Sequence, residues 1–507
     1  MISRIDSAGL HGIEAYAIRV EVDICNKAFP AWHTVGLAES EVRESKERVV
    51  SAIKNSGYDY TQRRITINLA PADIRKEGTG LDLPIALGLL KSSEIIQGSL
   101  ESYLFIGELS LNGEVRPVRG VLPIAILARE LKYKAIILPS SNAGEASVVE
   151  GLTVYAVTNL VDVVDFVEGR KQLEPVSIQN DTEELSVSEG DFIDVAGQFA
   201  AKRALEVSAS GGHNILFVGS PGSGKTMLSS RIPTILPELS FEESLETSRI
   251  YSVMNLLPRG KLLKTRPFRA PHHSVSDAGL IGGGSSPKPG EVSLGHNGVL
   301  FLDELPEFKK HVLELLRQPL ESGIVTISRA MSSLTYPAYF MLVAAMNPCP
   351  CGYLGHPRVA CRCAPASIQK YRSKISGPLL DRIDLQIEVP PVPFSDMASK
   401  EALRETSALI RARVLKTRKR QAERFYKTGI SVNAQMKPKH VRQYCRLDES
   451  GKSILKSIVD KFHLSARAFD RILKVARTIA DMEASPSILT PHLLEAVQYR
   501  FLDRNII

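Results

Sequence analysis

The chain has 507 residues, of which 44% are hydrophobic and 23% are charged, so we expect two or three folded domains rather than a disordered or collagen-like protein. The formal net charge of +7 is modest for this length and does not by itself indicate nucleic-acid binding. No apolar run reaches the roughly 18 residues of a membrane-spanning helix, and the first residues lack an apolar signal core, so the sequence predicts a cytoplasmic protein without membrane contact.

Residues 1–168 alternate strand-like runs with helical patterns, which predicts an α/β domain. The predicted strands are Ala15–Val22, Arg64–Leu69 and Ala135–Leu138, and the predicted helices are Ser40–Ile53 and Leu83–Leu90. Residues 169–189 are polar and acid-rich, so we expect a linker there.

Residues 190–395 change to strands followed by glycine-rich turns and helices, which is typical of a parallel sheet that binds ligands at its carboxyl edge. The predicted strand Asn214–Val218 runs directly into a match to G-x-x-x-x-G-K-S/T. The matching residues are Gly219, Ser220, Pro221, Gly222, Ser223, Gly224, Lys225 and Thr226. In such a loop backbone N–H groups face the phosphates of ATP, Lys225 neutralises the β and γ oxygens, and the Thr226 hydroxyl can bind Mg²⁺. A chance glycine-rich turn would not explain the flanking strand and helix.

Two further predicted strands end in polar side chains at the same edge. Asp303 and Glu304 follow the apolar run Val299–Leu302, and Asn347 follows Phe340–Met346. In a phosphate-binding ATPase, Asp303 would hold the Mg²⁺ shell, Glu304 would polarise the attacking water, and Asn347 would help to position that water. An isolated Asp-Glu pair is usually only solvated charge at a strand end, but its place downstream of a phosphate loop favours the catalytic interpretation.

Four cysteines crowd into fifteen residues. Cys349, Cys351, Cys361 and Cys363 have the spacing C-x-C-x₉-C-x-C, and four thiolates can surround one tetrahedral Zn²⁺. The C-x-C spacing is tighter than is usual for zinc, so free reduced thiols and disulfides stay open as alternatives, and His356 is a substitute ligand. Disulfides are disfavoured in a reducing compartment.

Two arginines late in the chain are candidates for stabilising the transferred phosphoryl group. Arg382 lies in the segment Ser376–Asp384 and Arg467 in Leu464–Ala468. We assign Arg382 in trans, to the nucleotide of a neighbouring subunit, and Arg467 in cis. The alternative for each is a surface ion pair.

Residues 396–507 predict a helical domain, with amphipathic stretches at Lys400–Tyr426, Pro438–Cys445, Ser453–Lys461, Ala466–Met482 and Pro491–Phe501. Between Arg411 and Lys427 there are eight Lys or Arg residues and a single acid, Glu423. This run is either a solvated helix face or a stripe in which Arg411 and Arg418 follow a phosphate backbone.

A family resemblance rests on six segments: Gly219–Thr226, Ala270-Pro-His-His-Ser274, Gly290-Glu-Val-Ser-Leu294, Gly298–Glu304, Ala345-Met-Asn-Pro-Cys-Pro-Cys-Gly352 and Val475-Ala-Arg-Thr-Ile-Ala-Asp481. With them the chain resembles, over essentially its whole length, the magnesium-chelatase-like AAA+ proteins of the YifB/ComM type. The resemblance implies an AAA+ parallel-sheet core with a helical lid, ATP and Mg²⁺ as cofactors, a homo-hexameric ring, and branch migration on DNA during natural transformation.

The resemblance also implies two inserts that face the channel of the ring. One lies near His272–His296 and the other is a hairpin near Gly323–Leu334, so Lys288 and Arg329 become candidate DNA contacts. The simpler alternative for both residues is a solvated surface cation.

The amino-terminal domain resembles the Lon-type protease domain through Gly107–Gly120 and the turn Lys76–Asp82. Such a protease needs a nucleophilic serine that a lysine activates. Here Gly80 stands where that serine is expected, and the lysine position falls near Leu122 or Pro123. We therefore expect a proteolytically inert module that serves assembly or guides DNA.

The leading hypothesis is a hexameric, DNA-dependent ATPase that translocates on single-stranded and branched DNA, with recombination proteins as further partners. One alternative is a chelatase-like motor that remodels a protein partner. Another is a Lon-like ATP-dependent protease, which the missing Ser-Lys pair opposes.

Overall fold

The computed structural model describes residues 2–25, 29–60, 63–177, 190–258, 261–284, 287–329, 332–392, 405–462 and 464–500. The chain forms two compact units. The first unit contains Met1–Glu183 and Ser240–Leu263, and the second contains Glu184–Leu239 and Lys264–Ile507. The chain therefore leaves the second unit at residue 240 and re-enters it at residue 264. This organisation is not evident in the sequence.

The first unit is a mixed α/β structure. Its strands are β1 (Ile2–His11), β2 (Glu14–Cys25), β3 (Ala31–Val35), β4 (Arg64–Ala70), β5 (Tyr103–Phe105), β6 (Glu108–Leu109), β7 (Val115–Arg116), β8 (Ala135–Pro139) and β9 (Thr153–Val157). Its helices are α1 (Ser40–Arg43), α2 (Ser45–Asn55), α3 (Asp82–Ser92), α4 (Val121–Glu130), α5 (Ala143–Ser147), α6 (Leu160–Val167) and α10 (Phe241–Val253), with a 3₁₀ turn at Ser140–Asn142.

Alternation of apolar and polar residues explains the larger sheet of this unit, which has the strand order β1-β2-β4-β3. In β2 the side chains of Ile18, Val20 and Val22 are buried, and the intervening residues are more exposed. Helix α3 packs on this sheet and is buried along nearly its whole length. A second sheet, β5-β8-β9, is parallel. The three strands and the helix near Leu83 that the sequence predicts in this region are confirmed, and the predicted helix near Ser40 is divided into α1 and α2.

The second unit combines a parallel sheet with helices. Its strands are β10 (Ile215–Val218), β11 (Phe268–Arg269), β12 (Gly282–Gly283), β13 (Lys288–Pro289), β14 (Val299–Leu302), β15 (Ile324–Arg329), β16 (Ser332–Pro337), β17 (Met341–Met346) and β18 (Leu385–Glu388). The helices before β18 are α7 (Phe199–Gly211), α8 (Lys225–Ser230), α9 (Ile232–Ile235), α11 (Asp277–Leu280), α12 (Glu291–Leu294), α13 (Lys310–Leu315), α14 (Arg317–Ser322), α15 (Pro365–Arg372) and α16 (Gly377–Leu380), and 3₁₀ turns lie at Phe192–Asp194 and Leu305–Glu307.

The helices after β18 are α17 (Ser407–Arg424), α18 (Pro438–Tyr444), α19 (Glu449–Phe462), α20 (Ala466–Met482) and α21 (Thr490–Gln498), with a 3₁₀ turn at Asn433–Gln435. Each lies within or overlaps a helix that the sequence predicts, although residues 393–404 and 501–507 lie outside the described part. Arg471 of α20 pairs with the buried carboxylate of Asp384, which connects the helical region to the end of the sheet.

The sheet of the second unit has the order β11-β14-β17-β10-β18, and every neighbouring pair is parallel. Strands β10, β14 and β17 are buried at every residue. Continuous apolar runs are expected where a parallel sheet is covered on both faces. Because the strands are parallel, the residues that follow β10, β14 and β17 meet at one edge of the sheet.

The basic run in α17 mostly makes contacts inside the protein. Arg411 pairs with Glu238 at 3.0 Å, and Arg418 donates from Nε at 2.9 Å and from Nη2 at 2.6 Å to the carbonyl oxygen of Ala209. Arg424 pairs with the buried Asp481. These contacts hold the inner side of α17 in place, and phosphate binding by the exposed part of the run stays a prediction. Among the described residues, no helix is both long enough and apolar enough to cross a membrane.

Candidate active site

The phosphate loop closes around the ammonium group of Lys225. Its Nζ donates to the carbonyl oxygens of Gly219 at 2.7 Å and Ser220 at 2.9 Å. Gly224 has φ 90° immediately before α8, a conformation that favours glycine. Burial lowers the pKa of Lys225, while the carboxylates of Asp303 and Glu304 act in the opposite direction. The lysine is thus held at the start of a helix, where backbone N–H groups and a positive charge together suit a phosphate.

Side chains from three neighbouring strand ends meet at this loop. The Thr226 hydroxyl donates to Asp303 Oδ2 at 2.7 Å, and Lys225 Nζ lies 3.3 Å from Asn347 Oδ1. A hydroxyl and a carboxylate are hard oxygen ligands, which fit Mg²⁺ bound beside substrate phosphates. The structure therefore brings together the residues that the sequence selected after β10, β14 and β17, although their catalytic roles stay predictions.

Glu304 has an unusual backbone and a neighbour that sequence reasoning missed. Its φ is 50°, in the left-handed region, where a non-glycine residue is strained, and such strain often occurs at functional sites. The carboxylate is 58% exposed and lies 3.7 Å from His273 Nδ1. The segment Ala270–Ser274 was part of the family resemblance, but nothing in the sequence alone connected His273 with Glu304.

Gln198 is a second residue that sequence reasoning missed. Its Nε2 donates to the carbonyl oxygens of Ser223 at 3.1 Å and Pro390 at 2.6 Å, which ties the phosphate loop to the segment after β18. In the sequence, Gln198 stands out just as part of a Gly-Gln pair directly before α7. Its hydrogen-bond partners lie far away in the chain.

The two selected arginines converge on one carboxylate, that of Glu321. Arg382 is 5% exposed, forms an ion pair with Glu321, and donates from Nη1 to the Pro378 carbonyl oxygen at 2.7 Å. Arg467 Nη2 lies 3.6 Å from the same carboxylate. The cis and trans assignments stay predictions, but the two guanidinium groups occupy one site rather than two.

The cysteine cluster has the geometry of a metal site. Cys349 Sγ lies 3.4 Å from Cys351 Sγ and 3.7 Å from Cys361 Sγ, and the four selected thiols, including that of Cys363, all lie within 4.8 Å of one another. Ligands about 2.3 Å from a tetrahedral zinc are about 3.8 Å apart, so these thiols fit Zn²⁺. The cysteines are free, which makes the disulfide alternative wrong.

The cysteine loop packs directly against the phosphate loop. Gly352 has φ 82°, and a Cβ at this position would lie 2.5 Å from Pro221 Cδ and 3.9 Å from Asn347 Cγ. The loop that carries the thiols therefore supports two predicted parts of the nucleotide site.

The two predicted inserts contact each other. Strands β15 and β16 form the hairpin that is predicted near Gly323–Leu334. The hydroxyl of Tyr336 in β16 donates to the carbonyl oxygen of Pro287 at 2.7 Å, next to β13 in the other insert. Lys288 is exposed in β13. Arg329 ends β15, but its side chain lies outside the described residues.

In the first unit, the positions expected for a protease dyad are apolar. A Cβ on Gly80 would lie 3.3 Å from Ile106 Cγ1, and Leu122 is fully buried. Neither position offers a nucleophile or a base.

Three family descriptions match the chain. Residues 191–397 match "Magnesium chelatase, subunit ChlI", residues 20–142 match "Subunit ChlI of Mg-chelatase", and residues 404–500 match "Magnesium chelatase, subunit ChlI C-terminal".

Relatives of similar length match almost end to end. The chain is 45% identical to the competence protein ComM of Haemophilus influenzae, over 97% of this chain and 96% of that protein. It is 44% identical to YifB of Escherichia coli, over 100% of this chain and 98% of YifB. The magnesium-chelatase 38 kDa subunit of Rhodobacter capsulatus is 27% identical over 31% of this chain and 50% of that subunit.

Proposed function

Because the chain belongs to the magnesium-chelatase-like AAA+ family of the ComM/YifB type, we propose that it is a hexameric, DNA-dependent ATPase that promotes branch migration on DNA. The observation that carries the proposal is the meeting of Lys225, Thr226, Asp303 and Asn347 at one sheet edge.

ATP hydrolysis would use each of these groups in a separate role. Lys225 would bind the β and γ phosphates, and Thr226 and Asp303 would hold Mg²⁺, which would supply positive charge to the phosphate oxygens. Glu304 polarises the attacking water, and Asn347 helps to position it. Arg382 reaches the nucleotide of the next subunit, so the ring is needed for full turnover.

DNA would bind where the two inserts meet. Lys288 and Arg329 would contact phosphates rather than bases, so recognition would depend on charge and shape more than on sequence. The substrates would be single-stranded and branched DNA during homologous recombination. The competence protein name of a relative that is similar along its whole length supports a role in natural transformation, where recombination proteins would be partners.

The remaining parts would be architectural. The first unit would be a Lon-like domain without protease activity, since Gly80 and Leu122 replace the serine and the lysine. Helices α17 to α21 would form the lid of the ATPase. The four cysteines would hold a structural Zn²⁺ that stiffens the loop beside Pro221.

The test is ATP turnover measured without DNA, with single strands and with forked junctions, followed by migration of a mobile four-way junction. Glu304→Gln should keep nucleotide binding and lose hydrolysis and migration. Glu307→Gln is a matched control, because this exposed carboxylate lies three residues away and pairs with Lys374 at 3.5 Å.

Wild-type protein that neither binds DNA at low salt nor moves a junction would contradict the helicase proposal. ATP turnover that responded to a protein partner instead would favour the chelatase-like alternative. That alternative draws on the partial match to magnesium-chelatase subunits.

A further inference from the structure

Glu321 lies in α14 and contacts arginines from two other segments of the chain. Arg382 reaches it from the end of α16, and Arg467 reaches it from the first turn of α20. The arginines are 85 residues apart in the chain. Arg382 is buried, whereas Glu321 is 59% exposed, so the carboxylate can leave the pair toward solvent while Arg382 stays in place.

The charges at this site do not balance. Two guanidinium groups face one carboxylate, which leaves one positive charge in excess. Arg317 is also close enough to lower the pKa of Glu321, after the larger effect of Arg382, but Arg317 pairs with Glu314 at 3.0 Å. Among the described residues, the buried Nε of Arg382 has no hydrogen-bond partner. A phosphoryl group offers more oxygens and more charge than a carboxylate, so it would satisfy both arginines better.

We propose that Glu321 is the resident counter-ion of a two-arginine phosphate site and masks Arg382 and Arg467 until a phosphoryl group displaces it. The inference rests on the proposed function, because that phosphoryl group would be the terminal phosphate of ATP in a neighbouring subunit. Both arginines then act as one unit in trans, which replaces the cis assignment of Arg467, and Glu321 is a positioning residue rather than a catalytic one.

The place of Glu321 in the chain connects this mask to DNA. Gly323, two residues later, has φ 69°, and β15 of the predicted DNA-binding hairpin begins at Ile324. Because Ser322 and Gly323 alone separate Glu321 from the hairpin, a shift of the hairpin would move the end of α14. DNA that moves the hairpin would withdraw Glu321 and release the arginines, which gives a physical route for DNA to stimulate hydrolysis.

The experiment compares Glu321→Gln with the control Glu307→Gln, which removes an exposed charge that pairs with Lys374 rather than with Arg382 or Arg467. Glu321→Gln should raise ATP turnover without DNA on the order of fivefold and reduce the stimulation by DNA accordingly. Glu307→Gln should behave as wild type. A thermal unfolding curve for each variant shows that the chain is folded.

A second readout does not depend on turnover. Binding of inorganic phosphate is measured by calorimetry on full-length protein that carries Lys225→Ala, which weakens the protein's own nucleotide site. Adding Glu321→Gln should tighten phosphate binding about fivefold, and adding Arg467→Ala should remove that gain.

Unchanged or slower turnover in Glu321→Gln, or unchanged phosphate affinity, would overturn the proposal, because the carboxylate would then only hold the arginines in place. An equal effect of Glu307→Gln would overturn it too. If wild type shows no stimulation by DNA, the proposed function fails, and the phosphate measurement still decides whether Glu321 masks the arginines.

Discussion

Substitution of Gly352 should damage the nucleotide site from outside it. An alanine Cβ would lie 2.5 Å from Pro221 Cδ and 2.7 Å from Pro221 Cγ, whereas ordinary contacts begin near 3.4 Å. The proline ring is part of the phosphate loop and cannot rotate aside. Gly352→Ala therefore requires the two loops to separate by about 0.9 Å, and a displacement of about 1 Å can cost a reaction about 100-fold.

Gly355 provides a matched control. Its φ is 78°, close to the 82° of Gly352, but a Cβ there meets no atom of the described residues within 4 Å. Both alanine variants incur the left-handed strain of about 1 kcal/mol, and only Gly352→Ala adds the contact with Pro221. We expect kcat/KM for ATP to fall about 100-fold in Gly352→Ala and less than about threefold in Gly355→Ala.

The assay is steady-state ATP turnover together with titration of a fluorescent nucleotide. Zinc content is measured in parallel, so that loss of the cysteine loop is distinguished from displacement of the phosphate loop. Equal losses in the two variants, or normal turnover in Gly352→Ala, would refute the idea that the cysteine loop supports the phosphate loop.

Three further predictions concern the subunit interface, the metal and the helical region. Rings that mix Arg382→Ala with Glu304→Gln subunits should recover part of the ATP turnover if Arg382 acts in trans, and no recovery in demonstrably mixed rings would exclude that role. Elemental analysis of protein purified without chelator should find about one zinc per chain, with less in Cys361→Ser; metal-free wild type would favour free thiols. Asp384→Asn should lower the free energy of unfolding by about 3 kcal/mol, because it leaves Arg471 without its buried partner, and denaturant titration showing less than about 1 kcal/mol would contradict this. Burial raises the pKa of Asp384, but Arg471, His213 and Lys474 together more than offset this, so the pKa falls below its ordinary value. The difference in free energy of unfolding between wild type and Asp384→Asn should therefore stay constant from about pH 8 to about pH 5. It should shrink only below about pH 4, as the wild-type carboxylate is protonated.

The local features of the candidate site could be predicted because they depend on short segments. The phosphate loop is eight consecutive residues, and an apolar run that ends in Asp303 and Glu304 identifies a buried strand and its edge. In a parallel sheet, strand ends share an edge, so the meeting of Asn347 with Lys225 could also be expected.

Contacts between distant segments could not be predicted in the same way. The basic run in α17 was correctly expected to be helical, but helical periodicity does not show that Arg424 meets Asp481 rather than water. Gln198 belongs to no motif, and the family segment that contains His273 does not indicate that Glu304 lies beside it.

Local sequence patterns therefore predict the helices, the strands and the polar side chains at each strand end, since backbone periodicity and glycine-rich turns are local properties. The folded chain was needed to show that residues 240–263 belong to the first unit and that Gly352 packs against Pro221. It was also needed to show that Arg382 and Arg467 share Glu321. These arrangements depend on which distant segments of the chain pack together. Contacts between side chains tens of residues apart produce no periodic pattern in a single sequence.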